Sequence, residues 1–121
     1  MTEYQHQKAV FDWAKQPEVR QKYPELKLLF HIPNGGRRDP VEAKHLREQG
    51  VKKGVPDLFL PVARNGFHGL FIEMKTERGG ILGKDQRWWK HELCTNDYCH
   101  CWAFGWEAAV ATLIDYLDGG S

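Results

Sequence analysis

The sequence has little of what marks membrane, secreted or disulfide-stabilised proteins. No apolar run approaches the roughly 20 residues that span a bilayer, and the polar N-terminal segment lacks the apolar stretch of a signal peptide. Cysteine occurs only three times among 121 residues, an odd number that argues against a disulfide framework and agrees with a reducing compartment. We therefore expect a cytoplasmic protein with no membrane partner.

An excess of charge of one sign is also lacking, because 17 Lys and Arg residues nearly balance 16 Asp and Glu residues. Any affinity for nucleic acid must therefore come from a local basic patch. Residues with zinc-binding side chains do cluster towards the C-terminus, at His91, Cys94, Cys99, His100 and Cys101. Their spacing contains no C-x-x-C pair, and Cys99 and Cys101 fit small core residues on one strand face, so we expect no structural zinc.

What the sequence does contain is a pair of apolar runs at residues 55–63 and 69–75, separated by RNGFH at residues 64–68. Asn and Gly between runs of β-branched and aromatic residues predict a β-hairpin with a loop slightly longer than the tightest type. The chain has the length of one domain with its own core, so we assign residues 1–118 to that domain and 119–121 to a tail.

Charged side chains interrupt both runs of this hairpin. Asp57 lies near the start of the first run, and Glu73 and Lys75 lie near the end of the second. Because side chains alternate along a strand, Glu73 and Lys75 share a face, and closing the hairpin places Asp57 opposite them. Buried carboxylates need a partner or a metal, and two hard oxygen ligands suit Mg²⁺. A surface hairpin with solvated charges would carry the same short pattern.

A helix is predicted over residues 2–16. Thr2 and Gln5 have the spacing of a capping box. An inward stripe follows at helical spacing, made of Gln7, Val10, Phe11 and Ala14. Glu3 lies one turn before Gln7, where it either faces a polar pocket or simply favours the positive end of the helix. Taken alone, these residues favour the second interpretation.

The remaining segments alternate between strand and helix patterns. They are a strand at 26–32, a helix at 40–49, the hairpin, a helix at 85–94, a strand at 98–104 and a helix at 106–117. The predicted order is α-β-α-β-β-α-β-α, which indicates an α/β fold in which helices flank a mixed sheet.

Five stretches then match, in register, one known family. They are Glu3 with Gln7, HIPNGG at 31–36, GVKKGVPDL at 50–58, GLFIEMK at 69–75, and Gln86. Over most of its length the chain resembles the VRR-NUC (virus-type replication-repair nuclease) branch of the PD-(D/E)xK superfamily, of the stand-alone phage or bacterial type. The resemblance implies a restriction-endonuclease-like fold and a nuclease that hydrolyses phosphodiester bonds in DNA with Mg²⁺, or Mn²⁺ as a substitute.

Stand-alone members of that family are similar to homodimeric enzymes that resolve DNA junctions. The resemblance therefore implies a homodimer, branched DNA such as four-way junctions as substrate, a role in DNA repair, and the cytoplasm of a bacterial cell or phage-infected host. Two alternatives stay open. One is a catalytically inactive nucleic-acid-binding module of the same fold. The other is a restriction-type or RNA-directed nuclease, although no segment has the pattern of a separate base-reading element.

The resemblance also implies residue roles. The candidate catalytic residues are Asp57, Glu73, Lys75, Glu3, Gln7 and Gln86. The candidate metal ligands are Asp57, Glu73, the backbone carbonyl of Met74, and Glu3 through a water molecule. The candidate nucleic-acid-binding residues are Asn34, Arg37, Arg38, Lys52, Lys53, Lys84 and Arg87.

Overall fold

The computed structural model describes residues 1–33, 39–76 and 80–119, so the last two residues of the predicted tail lie outside it. The helices are α1 (Glu3–Ala14), α2 (Pro17–Lys22), α3 (Pro40–Glu48), α4 (Lys84–Thr95) and α5 (Trp106–Leu117). The strands are β1 (Phe30–His31), β2 (Leu58–Leu60), β3 (Leu70–Lys75) and β4 (Cys99–Phe104). A short 3-10 helix, Pro24–Leu28, precedes β1. No helix in this described part is long and apolar enough to cross a membrane.

The four strands form one mixed sheet in the order β1-β2-β3-β4. The β1–β2 and β2–β3 pairs are antiparallel, whereas β3 and β4 are parallel. A parallel pair needs a crossover connection, which α4 provides here. The predicted α/β class and the flanking of a mixed sheet by helices are confirmed, with α2 and the 3-10 helix added to the predicted order.

The strand predicted at residues 26–32 is wrong over most of its length. Only Phe30–His31 pairs with the sheet, while α2 and the 3-10 helix occupy the segment before it. Pro17 and Pro24 each begin a helical segment, where the fixed φ of proline and its missing N–H are tolerated. Leu26 and Leu29 are both buried, three residues apart, which is the spacing of a 3-10 turn rather than a strand.

The predicted hairpin is present, but its tip is tighter than expected. Leu58 pairs with Ile72 and Leu60 with Leu70 across the antiparallel strands. At the tip, Asn65 and Gly66 have φ values of 54° and 83°, both positive as a two-residue type I′ turn requires. This turn fixes the strand register. As a result, Asp57 at the start of β2 lies across from the charged end of β3.

The alternation of side chains along β3 gives the sheet two different faces. Leu70, Ile72 and Met74 form what we call the core face, which packs with Val10 of α1 and Leu113 of α5 in one buried cluster. The residues between them lie on the opposite side, which we call the open face. With their in-register neighbours on β4, its members are Phe71, Glu73, Lys75, His100, Trp102 and Phe104.

Candidate active site

Asp57 is held at the start of β2 by the backbone around it. Its side chain is 8% exposed, and its Oδ2 atom accepts a hydrogen bond of 2.8 Å from the backbone N–H of Met74. Its carbonyl oxygen accepts a bond of 2.7 Å from the N–H of Ile32. The antiparallel register that pairs Leu58 with Ile72 puts Asp57 opposite Glu73, as predicted from the hairpin.

Glu73 lies beside Asp57 and is only 5% exposed. Burial raises the pKa of Glu73 to about 8, and the charge of Asp57 and a hydrogen bond between the two carboxyl groups act in the same direction. The nearby Lys75 ammonium opposes this rise, while the negative charge of Glu3 adds to it. Two carboxylates that share a buried site resist being ionised together. At neutral pH the two carboxyl groups therefore lack the neighbouring positive charge that would let both of them ionise.

Gln86, in the first turn of α4, connects the two charged residues of β3. Its Nε2 atom donates to Oε2 of Glu73 over 3.1 Å, and its Oε1 atom accepts from Nζ of Lys75 over 2.9 Å. The same Oε1 atom accepts from the backbone N–H of Gly83 over 2.8 Å, which anchors the amide to the start of the helix. These contacts fix the positions of the Glu73 carboxyl group and the Lys75 ammonium group relative to each other.

The two candidate residues of α1 differ in their relation to this cluster. Glu3 is exposed in the first turn, and its charge acts on the carboxyl group of Glu73. Gln7 lies one turn further on and is half-buried. Among the described residues, the Gln7 side chain forms no hydrogen bond with Asp57 or Glu73. The structure thus brings together four of the six candidates by direct contact, with Glu3 nearby and Gln7 behind it.

Basic side chains surround the N-terminal end of α4. Gly54 has a φ of 84°, and a Cβ atom there would lie 2.6 Å from Cβ of Asp85, so the loop before β2 sits directly against the helix. The indole N–H of Trp89 also donates to the carbonyl of Lys53 over 2.9 Å. These contacts bring the loop that carries Lys52 and Lys53 against the first turn of α4, which carries Lys84, while the fourth described candidate, Arg87, lines a groove beside Trp102. The other three, Asn34, Arg37 and Arg38, lie outside the described residues.

The oxygen atoms of this site fit a divalent cation such as Mg²⁺. Asp57 and Glu73 offer two carboxylates in contact, and the Met74 carbonyl between the site residues offers a neutral oxygen. Mg²⁺ is usually held by one or two carboxylates and keeps several waters. Among the described residues, no three His, Cys, Asp or Glu side chains gather closely enough to hold an ion. Glu3 thus does not form such a group with Asp57 and Glu73 in this structure.

Comparison with known proteins identifies the family. The sequence model of the VRR-NUC domain matches residues 1–112. The chain belongs to the VRR-NUC family. A solved structure described as a VRR_NUC domain protein is 30% identical, with a TM-score of 0.83 over 100% of this chain and 92% of that one. No curated protein matches the sequence. The family is one of virus-type replication-repair nucleases.

Two histidines support the VRR-NUC site without having been predicted. His6 is 2% exposed, and its Nδ1 atom accepts from the backbone N–H of Trp106 over 3.0 Å, which ties α1 to the start of α5. Nδ1 of His31 lies 2.9 Å from the carbonyl oxygen of Asp57. His6 could have been found from its spacing, because it precedes the buried Val10 by one helical turn. His31 could not, because only the β1–β2 pairing brings it to Asp57.

Proposed function

We propose that this chain is a Mg²⁺-dependent DNA endonuclease that hydrolyses phosphodiester bonds and prefers branched DNA such as four-way junctions. The observation that carries the proposal is the buried carboxylate pair, Asp57 and Glu73, joined through Gln86 to the ammonium group of Lys75. Carboxylates that are held together at the expense of a raised pKa are typical of functional sites. Because the chain belongs to a nuclease family, we assign phosphodiester hydrolysis to this pair.

Each residue of the cluster has a separate task in this mechanism. A bound Mg²⁺, held by Asp57, Glu73 and the Met74 carbonyl, would neutralise phosphate charge and lower the pKa of a water ligand. Lys75 would donate hydrogen bonds to the water or to the oxygen on which negative charge develops. Gln86 would keep the ammonium group of Lys75 aimed at that position, since its own amide is anchored to Gly83.

The surroundings of the cluster suit a phosphate backbone. Lys52, Lys53 and Lys84 are exposed beside the N-terminal end of α4. The N-terminus of a helix also attracts anions through its free N–H groups and its dipole. Lys and Arg contacts to phosphate provide most of the affinity of such proteins for DNA, and this affinity falls with salt. We therefore expect binding to be salt-sensitive and to survive the loss of the metal ligands.

We further propose that the protein acts as a homodimer. One site cuts one strand, so resolving a four-way junction needs two sites of matched polarity, which a two-fold dimer provides. The sheet offers an aromatic surface for such contact. Phe30 is 47% exposed and packs edge-on against Phe59, which stacks on Phe71 with ring centroids 4.2 Å apart. A partly exposed aromatic patch of this kind is typical of an interface.

The test is a cleavage assay on labelled four-way junctions, flaps, nicked duplexes and linear duplexes of one sequence. We expect paired cuts in the junction with Mg²⁺ or Mn²⁺, binding without cleavage in Ca²⁺, and no cleavage in EDTA. Light scattering on the same sample should give the mass of a dimer. Binding without cleavage under every metal condition would favour an inactive module, and equal cutting of linear duplex would remove the preference for branched DNA. Preferential cutting of RNA would replace DNA as the substrate.

A further inference from the structure

Two aromatic side chains lie beside the carboxylate pair on the open face and have no part in the mechanism above. In the parallel register, Trp102 is the neighbour of Glu73 and Phe104 is the neighbour of Lys75. Adjacent strands lie about 4.8 Å apart, so each ring begins one strand away from a residue of the cluster. Trp102 is 36% exposed and Phe104 is 39% exposed, with ring centroids 5.3 Å apart.

Trp102 also forms one wall of an open groove of about 680 Å³ between β4, α4 and the loop before α4. Its described lining residues are Ile81, Leu82, Arg87, Lys90, His91, Cys94 and Trp102. None of these is acidic, and two of them, Arg87 and Lys90, carry a positive charge. Nη1 of Arg87 is fixed by a bond of 2.7 Å to the Leu82 carbonyl. The groove therefore combines an apolar floor with cations that suit an anionic occupant.

The rings of Trp102 and Phe104 do not lie in the hydrophobic core. The side chains of β4 that turn towards α5 belong to the other face, where Ala103 is 1% exposed. Trp102 and Phe104 turn instead to the side where a phosphodiester must lie to reach Glu73 and Lys75. Aromatic rings next to cations bind unstacked bases, and replacing such a ring by alanine weakens binding by about tenfold or more. A base inside a duplex offers no free ring face to such a surface.

We propose that Trp102 and Phe104 form a stacking platform for an unpaired nucleotide next to the cleaved bond, with its phosphate bound by Arg87 and Lys90. The proposal rests on the nuclease function and adds a substrate class to it. The preferred DNA has unpaired nucleotides beside the cut, as a flap, a single-stranded tail or an opened junction provides. The duplex arm would lie on the opposite side of the cluster, along Lys52 and Lys53.

The test measures binding in a cleavage-deficient background, Asp57→Asn, so that the DNA stays intact. Two labelled DNAs are compared by fluorescence anisotropy, a blunt duplex and the same duplex with a single-stranded tail. In this background we expect Trp102→Ala to weaken binding of the tailed DNA by about tenfold, as the loss of one stacking ring predicts. Binding of the blunt duplex should change by less than about twofold, because phosphate contacts dominate it.

Trp88 provides a matched control on the same domain. It is 56% exposed, it belongs to α4, and it is not among the residues that line the groove. Trp88→Ala should leave the binding of both DNAs unchanged. Trp102→Phe keeps an aromatic ring and should restore most of the affinity for the tailed DNA. Trp102→Leu keeps an apolar side chain without the ring, and it should bind the tailed DNA as weakly as Trp102→Ala.

The outcomes separate this proposal from the function on which it rests. If the wild-type protein cuts DNA but Trp102→Ala, correctly folded by circular dichroism, binds the tailed DNA with full affinity, the platform is absent and the nuclease remains. If Trp102→Ala weakens both DNAs equally and turns a dimer into a monomer, the groove is an interface between two copies and the proposal is overturned. If the wild-type protein neither binds nor cuts any DNA, the nuclease function and the platform fall together.

Discussion

The two faces of β3 differ in what they do for the protein, although they alternate along six residues of one strand. The core face is closed, with Leu70, Ile72 and Met74 each no more than 3% exposed in a buried hydrophobic cluster. The open face carries Glu73, which is just as inaccessible at 5% but is a carboxyl group next to another one. Burial stabilises the fold on the first face and opposes ionisation on the second.

This difference shows how one short strand can hold core residues and candidate site residues at the same time. A period of two residues directs alternate side chains to opposite sides, so one strand can complete the core and still hold Glu73 and Lys75, the proposed catalytic residues, on the other side. The open face breaks the rule that buried charges are fully paired, and proteins tolerate such violations mainly at functional sites. Substitutions on the two faces should therefore affect different measurements.

The largest effect is expected from the carboxylate pair. Asp57→Asn and Glu73→Gln keep the shape of each side chain but remove a negative charge from the proposed metal ligands. Cleavage should fall by at least about 10³-fold, since both the bound ion and the polarised water are lost. DNA binding should stay within about threefold in an anisotropy assay, because phosphate contacts to Lys and Arg provide it. Cleavage at the wild-type rate by either variant would show that the pair is structural.

The next effect should appear on the side of the core face and in stability alone. Leu113 of α5 is fully buried in the cluster that covers β3. Leu113→Ala should lower the free energy of unfolding by about 2–5 kcal/mol, the range for a buried leucine replaced by alanine. Urea denaturation measures this loss. Cleavage by the folded fraction at low temperature should remain within about twofold of the wild-type rate, and a much larger loss of activity would mean that the two faces are coupled.

The sequence was sufficient to predict how Asp57 and Glu73 are placed on the open face, but not to predict the structure of the segment before β1. Alternation and a hairpin folded about Gly66 predicted that Asp57 lies opposite the stretch from Glu73 to Lys75, and the observed pairing of Leu58 with Ile72 agrees. The strand predicted at residues 26–32 was wrong up to residue 29 because the leucines there fit both a strand and a 3-10 turn, and tertiary packing decided between them. The contacts of Gln86 were also out of reach, because they depend on where α4 returns to the sheet rather than on any local pattern.

The Lys75→Met variant tests whether cleavage needs the ammonium group on the open face. Lys75→Met keeps the length of the side chain and removes the ammonium group that Gln86 holds. Turnover should fall by about 10²-fold, the scale of losing one electrostatic donor in an active site. Metal affinity, measured by calorimetry, should be unchanged or higher because a neighbouring positive charge is gone. A wild-type rate of cleavage would limit Lys75 to a partner of the carboxylates.

A smaller effect concerns the stability of the metal-free protein. The pKa of Glu73 is about 8 in the folded chain against 4.5 ordinarily. Between these values the unfolded chain loses the proton and the folded chain keeps it, so stability should fall as pH rises from 4.5 to 8. The expected loss is about 1–3 kcal/mol, since one pKa unit corresponds to at most about 1.4 kcal/mol.

The measurement is chemical denaturation in EDTA across this pH range for the wild-type protein and Glu73→Gln. The variant should gain stability relative to the wild type as pH rises, and the two should converge near pH 4.5. The lowered pKa of His100, about 4 because of burial, gives the opposite slope below pH 6.5, but it is common to both proteins and cancels in the difference. A difference that does not depend on pH would contradict the raised pKa of Glu73.

The smallest effect should come from Glu3, at the outer edge of the open face. Its exposed position in the first turn of α1 limits its contribution to the helix to at most about 1 kcal/mol, and the capping contacts of that turn belong to Thr2 and Gln5. Glu3→Ala should therefore hardly change the melting temperature. It should nevertheless slow cleavage measurably at low Mg²⁺ and less at high Mg²⁺, if the carboxylate acts on a water of the metal. Thr2→Ala is the matched control, because losing the cap should lower stability by about 1 kcal/mol without a dependence of rate on Mg²⁺. If Glu3→Ala instead lowers stability as Thr2→Ala does and leaves the rate unchanged, Glu3 serves the helix and the site ends at the carboxylate pair.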